Sequence, residues 1–199
     1  MNILTVCVGH EKEVFIKEAS DDNGIQGKAV FAKKQKNKKR YFLEKRWAEG
    51  GKILTAIMMN PSKANEARGD ATVNQLIEQA KKEKYNALYV VNISPIIEGS
   101  SKNLKMSAFN YDELNWIFIK AAIEKSNLVF LGWGMKGQKG LKKQLKSNLD
   151  LYCELKSARE KFVCYELIQS LSKNKYDPKK YVPHPRPWRN KKNMLIRNL

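Results

Sequence analysis

Four short apolar runs constrain this chain more than any other feature. Residues 52–59 (KILTAIMM), 87–93 (ALYVVNI), 128–131 (LVFL) and 162–167 (FVCYEL) are close to continuous in hydrophobic side chains. A strand buried on one face alternates apolar and polar residues, whereas a strand buried on both faces reads as an unbroken run. Helix-period segments stand between the runs. Asp70 or Thr72 can cap a helix with Val73, Leu76, Ile77 and Ala80 on its apolar face. Asn110 or Asp112 can start a second, with Leu114, Ile117, Phe118, Ala121 and Ala122 inward. A third is expected over residues 140–160. Strand–helix alternation of this kind predicts an α/β fold with a mostly parallel central sheet covered by helices on both faces.

The rest of the chain is read around that core. Residues 1–27 read as a strand-rich entry turning at Asp22-Asn23-Gly24, and residues 41–47 (YFLEKRW) as a strand entering the core. The basic run 33–40 (KKQKNKKR) is expected as an exposed loop or hairpin tip, and residues 172–199 as a segment rich in Lys, Arg and Pro. One domain over residues 1–199 accounts for the length.

Charge and composition narrow the function. Lys and Arg number 38 against 20 Asp and Glu, a net charge of +18. An excess of this size draws in polyanions, and nucleic acid is the expected partner because phosphate contacts release counterions. No run approaches the roughly 18–20 apolar residues of a membrane span. The start, MNILTVCVGHEKEV, lacks the basic opening of a secretory signal. The basic run 33–40 has no apolar face for lying on a bilayer. Cys7, Cys153 and Cys164 form neither a disulfide framework nor a metal knuckle, which fits a reducing cytoplasm.

In parallel sheets, ligands bind beyond the carboxyl ends of the strands. The chemically distinctive residues fall there. Asn60 closes the first run before Pro61-Ser62, Asn92 the second, and Trp133-Gly134 the third. Pro183-His184-Pro185-Arg186-Pro187-Trp188 follows the last. A carboxamide inside an apolar strand, as at Asn92, is either structural glue or a ligand-reading group. Prolines around His184 fix the backbone and suit a pinned imidazole. Gly132-Trp133-Gly134-Met135-Lys136-Gly137 matches the dinucleotide pattern G-x-G-x-x-G. It comes late in the chain, without the acidic partner about 20 residues on. A tight turn packing Trp133 is the simpler expectation.

The order of these four sites resembles the uracil-DNA glycosylase superfamily. Met59-Asn60-Pro61-Ser62 is similar to the Asn-Pro version of its strand-end water-activating motif, and Tyr89-Val90-Val91-Asn92 to its base-reading asparagine strand. Phe130 through Gln138 is similar to its strand leading into Trp-Gly-x-x-Ala-Gln, with Gly137 in place of alanine. His184-Pro185-Arg186-Pro187-Trp188 is similar to its His-Pro-Ser-Pro-Leu loop. The chain also resembles a bacterial family known only as domain of unknown function 1643. The residues that carry this second likeness are Arg40-Tyr41, Arg46-Trp47, Met59 through Ala64, Asp70-x-Thr72 and the Trp133-Gly134 turn.

The glycosylase resemblance implies a three-layer α/β/α fold and a monofunctional enzyme, without cofactor or metal. It implies a protein that flips a nucleotide out of DNA and hydrolyses its N-glycosidic bond. A monomer is expected, with double-stranded DNA, or else single-stranded DNA, as its partner. Asn60 would position the attacking water, although an amide cannot take its proton at neutral pH. His184 would hydrogen-bond the departing base, and Asn92 would pair with its Watson–Crick edge. Ser62, Lys63 and Arg186 would clamp phosphates, with Lys136 and Arg189 extending the track and Trp188 as the wedge. Ser62 stands where the uracil-specific branch has a tyrosine that excludes 5-substituted pyrimidines. The implied substrates are therefore 5-modified pyrimidines, such as modified cytosine in phage DNA, besides uracil and mismatched thymine. A non-catalytic nucleic-acid binder on the same fold and a nucleotide-processing enzyme are the alternatives.

Overall fold

A computed structural model describes residues 3–34, 38–165, 182–185 and 196–198. One eight-stranded sheet runs through it in the order β1-β2-β3-β5-β4-β6-β7-β8. The strands are β1 (Val14–Ser20), β2 (Gln26–Ala32), β3 (Arg40–Arg46), β4 (Ile53–Met58), β5 (Ala87–Asn92), β6 (Leu128–Leu131), β7 (Phe162–Tyr165) and β8 (Ile196–Asn198). The four apolar runs form β4 to β7 and pair in parallel. The other pairings are antiparallel: β1 to β3 form a meander joined to β5, and β8 lies against β7. The sheet is therefore mixed rather than mostly parallel. A parallel partner needs a crossover helix, whereas the short connections between β1, β2 and β3 permit only antiparallel neighbours.

Helices lie on both faces. The helix α2 (Ala71–Lys82) packs on one face, where Val73, Leu76, Ile77 and Ala80 meet Leu54, Ala56, Leu88, Val90 and Phe130. On the other face sit α1 (Ile3–Gly9), α3 (Glu113–Lys125), α4 (Gly134–Ser147) and α5 (Leu149–Ser157), against Ile57, Tyr89, Val91, Val129 and Leu131. Alternate residues of each parallel strand thus serve different cores, which is why those strands read as continuous hydrophobic runs.

Several expectations are corrected. The entry is helical at residues 3–9, because Ile3, Val6 and Cys7 fall on one face and bury into the α3-side core. In α3, capped by Asp112, Asn115, Trp116 and Ile119 are buried, whereas Leu114 and Ile117 are only partly so. The helix expected over 140–160 is two helices. It begins earlier, at Gly134, and breaks at Asn148, whose extended backbone ends α4 and whose side chain caps α5 through Leu151 N. The expected strand over 162–167 is described as far as Tyr165.

One irregularity turns a charged side chain toward the α2 face. Val30 pairs with Phe42, but Phe31 pairs with Arg40, so Tyr41 is an extra residue in β3. Tyr41 and Phe42 both serve the α3-side core, with Tyr41 stacked on Phe118 at 5.7 Å. The bulge therefore sends Arg40 to the α2 side, opposite to where regular alternation would put it. Arg40 stands in the basic run expected to be exposed, yet it is 2% accessible. The neighbouring residues Lys33, Lys34 and Lys38 are exposed, as a hairpin tip requires.

Arg40 and Lys45 both reach the segment between β4 and α2. An Nη of Arg40 donates to the Ala64 carbonyl, and Lys45 Nζ donates to the Glu66 carbonyl at 2.7 Å. Burial lowers the Arg40 pKa to about 10 despite opposing attraction from Asp70 and Glu66, and lowers that of Lys45 as well. At about 10, the Arg40 guanidinium remains a cation at neutral pH. Gly27 on β2 lets the same segment lie flat, since a Cβ there would overlap the Glu66 carbonyl oxygen. Gly27→Ala is therefore expected to destabilise the protein by about 1–3 kcal/mol through overpacking against backbone, measured by chemical denaturation. Wild-type stability in that variant would mean the segment is not held against β2.

Candidate functional site

The sheet order fixes where a site can form. From β4 the chain crosses through α2 to β5 on one side, then returns through α3 to β6 on the other. The carboxyl ends of β4 and β6 therefore flank the point where connections diverge, the usual crevice of an open parallel sheet. A cleft of about 430 Å³ opens there, within the range of small-ligand sites. Asn60, Ser62, Lys63, Asn92, Lys136 and His184 all line it. Six of the residues singled out from sequence thus converge, although they are spread over most of the chain. Arg186, Trp188 and Arg189 lie outside the described residues.

Asn92 is the most informative of these. It ends β5, is 1% accessible, and neither its amide nitrogen nor its carbonyl oxygen has a hydrogen-bond partner among the described residues. A buried carboxamide left unpaired costs about 1–3 kcal/mol. Most such groups are satisfied, so an unpaired one lining a cleft is a candidate ligand-reading group. Its neighbour Asn115 is half-satisfied: the side-chain nitrogen donates to the Asn92 main-chain carbonyl at 2.9 Å, and the side-chain oxygen has no partner among the described residues.

Asn60 plays two parts. Its nitrogen donates to the carbonyls of Pro61 and Glu98, each at 2.8 Å, and to that of Ile96 at 3.4 Å. It therefore staples the loop after β4 to the loop after β5. Carbonyls accept only from the NH2, whose two hydrogens serve the two near carbonyls and lean toward the third, so the amide orientation is set and the side-chain oxygen faces away from these bonds. The turn-asparagine reading and the functional reading are thus compatible.

The Ser62 hydroxyl does not stand free for a phosphate or a base. It donates to Asp70, whose other carboxylate oxygen accepts from Thr72 N and Val73 N at 2.9 Å and caps α2. Asp70 lines the cleft, as do Arg40 and Glu98. These three charged residues were not picked out as site residues. Asp70 reads as a helix cap in sequence, and Arg40 reads as one more residue of a basic run. Only the bulge at Tyr41 brings Arg40 to the cleft.

The far wall is built from the β6–α4 turn. Trp133 is buried, and its indole nitrogen donates to Gln138 at 2.8 Å. Gly134 has φ +67, and a Cβ there would crowd His184 Cβ at 3.2 Å. A glycine is needed for both reasons. The Gly132–Gly137 pattern is therefore met as the tight turn around Trp133. The turn starts α4 without a side-chain cap, and Trp133, Gly134, Met135 and Lys136 line the cleft. Lys136 Nζ also donates to the Ser101 carbonyl. His184 sits in a segment that Gln75 contacts through the Pro185 carbonyl at 3.5 Å.

Among the described residues the cleft thus holds one carboxamide at depth without a partner, an amide oxygen and an imidazole on its walls, and three cations against two carboxylates. Among the described residues there is no group of three or more His, Cys, Asp or Glu placed to hold a metal ion. No described helix is long and apolar enough to cross a membrane. Because the Asn92 carboxamide bonds nothing among the described residues, Asn92→Ala is expected to leave stability unchanged or raise it. Asn115→Ala, by the same measurement of unfolding free energy, is expected to lose about 1–3 kcal/mol. A loss at Asn92 as large as at Asn115 would mark Asn92 as structural glue.

No curated protein matches the chain. The family model described as a protein of unknown function (DUF1643) matches residues 40–185. That span starts at Arg40, ends one residue past His184, and so contains every residue lining the cleft. The chain belongs to this family, DUF1643.

Proposed function

We propose that the protein is a DNA glycosylase that takes a flipped pyrimidine into this cleft and hydrolyses its N-glycosidic bond. The observation that carries the reading is Asn92, a buried and unpaired carboxamide at the end of a parallel strand. Such a group can read the Watson–Crick edge of a nucleobase, since it offers one acceptor and two donors. The resemblance of the four strand-end segments to the uracil-DNA glycosylase superfamily supports the same assignment, because Asn60, Asn92, the Trp133 turn and His184 surround one cleft.

The chemistry follows from the atoms present. The C1′–N bond breaks with its electron pair going to the base. His184 would donate a hydrogen bond to the base oxygen on which negative charge grows. The Asn60 oxygen would accept a hydrogen bond from water and hold it for attack at C1′. Extruding the nucleotide costs a few kcal/mol in lost stacking and pairing, least for a mismatched base. Ser62 is compact and tied to Asp70, which leaves room for substituents at the pyrimidine 5-position. We therefore favour a 5-substituted pyrimidine as substrate.

Charge supports DNA as the polymer. The helix α4 leaves the cleft mouth carrying Lys136, Lys139, Lys142, Lys143 and Lys146 and no acidic residue. Lys139, Lys142, Lys143 and Lys146 are exposed. A row of this kind follows phosphates and makes binding fall steeply with salt.

The test is base release. Duplexes containing uracil, mismatched thymine or 5-substituted cytosines are incubated with protein, and alkali-labile abasic sites are counted. At least one substrate is expected to yield sites, with Asn60→Ala and His184→Ala each slowing release about 10²-fold or more. Salt-sensitive DNA binding without abasic sites on any substrate would contradict the reading and favour a non-catalytic binder.

A further inference from the structure

We propose that Asp70 is a catalytic residue of this cleft, supplying the negative charge and the proton acceptor that Asn60 lacks. The inference rests on the glycosylase reading above. Breaking a glycosidic bond builds positive charge on the sugar ring, and a fixed anion beside it lowers the barrier. An attacking water must also lose a proton. Asn60 can hold the water but can neither carry the charge nor take the proton.

Two carboxylates line the cleft, Asp70 and Glu98. Glu98 accepts from Ser100 N at 2.9 Å, within its own loop. Asp70 is placed differently. One oxygen accepts from Thr72 N and Val73 N, each at 2.9 Å, and the other accepts from the Ser62 hydroxyl. Ser62 is two residues past Asn60, so the carboxylate stands one hydrogen bond from the loop that would hold the water. The buried Arg40 guanidinium is near enough for Asp70 to act on its charge.

Helix capping accounts for one oxygen of Asp70 and no more. Asn and Ser cap about as well as Asp, so the cap alone does not demand a carboxylate. The bond from Ser62, the place on the cleft wall and the nearby arginine are left over, and a catalytic role accounts for them together.

The step balances. The C1′–N bond breaks and its electrons leave with the base, hydrogen-bonded by His184. Water oxygen bonds to C1′. The Ser62 oxygen takes one proton from that water while its own passes to Asp70. Asp70 then releases the proton to solvent, and the departed base takes one up from solvent. The net change is one water consumed and no change at the enzyme.

Asp70→Asn separates charge from shape. It keeps the cap acceptor and loses only the charge that helps offset the buried Arg40, so the variant is expected to fold with a slightly lower unfolding temperature, and DNA binding is expected to be equal or tighter. Base release at saturating substrate is expected to fall 10²-fold or more. Ser62→Ala is expected to fall less. Glu78→Gln, the same charge change on the exposed side of α2, is expected to leave release unchanged. If Asp70→Asn folds poorly, Asp70→Ser supplies the cap and carries the same expectation. Wild-type release rates in a folded Asp70→Asn protein would overturn the assignment alone. A wild-type protein inert on every substrate would overturn the glycosylase reading and this assignment with it.

Discussion

The cleft depends on two cations buried beneath one loop. Arg40 and Lys45 leave β3 on the α2 face and bind the carbonyls of Ala64 and Glu66. Taking charges out of water is expensive, and the lowered pKa of each group records that cost. Carbonyl groups and the negative charges of Asp70 and Glu66 offset it. The result is a segment from Asn60 to Asp70 that has no regular structure of its own yet is held by side chains from beneath. A loop fixed in this way can present Asn60, Ser62 and Asp70 in a constant geometry, which a loop resting on solvent could not.

The second constraint is the crossing of the chain at β4. Because β5 and β6 lie on opposite sides of it, the loops after β4 and β6 part and leave a crevice without any cavity being carved from the core. Asn60 then closes one side by joining the loops after β4 and β5. The opposite side is closed by the turn that buries Trp133 and by the His184 segment packed on Gly134. Asn92, Asp70 and Lys136 are therefore attached to a strand end and two helix starts, whereas Asn60 and Ser62 ride on the loop held from beneath.

Much of this was legible in the amino-acid sequence, and the parts that were not share a physical cause. The runs 52–59, 87–93, 128–131 and 162–167 carried the parallel core because burial on both faces leaves an unmistakable pattern. Asp70 and Asp112 were visible as caps because capping is local. The burial of Asn92 at a strand end was visible because the carboxamide sits in an apolar run, and both readings of it, structural glue and ligand-reading group, were drawn from that. Arg40 was not visible, because one extra residue at Tyr41 reverses the face on which it lies and no local signal reports a bulge. The break at Asn148 was missed because lysine-rich helical sequence runs through both α4 and α5. The helix at residues 3–9 was missed because its β-branched residues favour strands in isolation, and only packing against α3 overrides that preference. Ser62 and Asp70 were read separately, although the fold makes them one unit.

The most direct test of the central claim follows the side-chain amide of Asn92 itself. The protein is titrated with duplexes carrying a non-hydrolysable 2′-fluoro nucleotide, either 5-substituted cytidine or uridine, and the Asn92 amide is observed by NMR together with the backbone of α4. The account predicts that with at least one duplex the Asn92 amide signals move to a new saturated position as a base enters and pairs with them. Saturation of the α4 signals by every duplex while those of Asn92 stay where they were would contradict it.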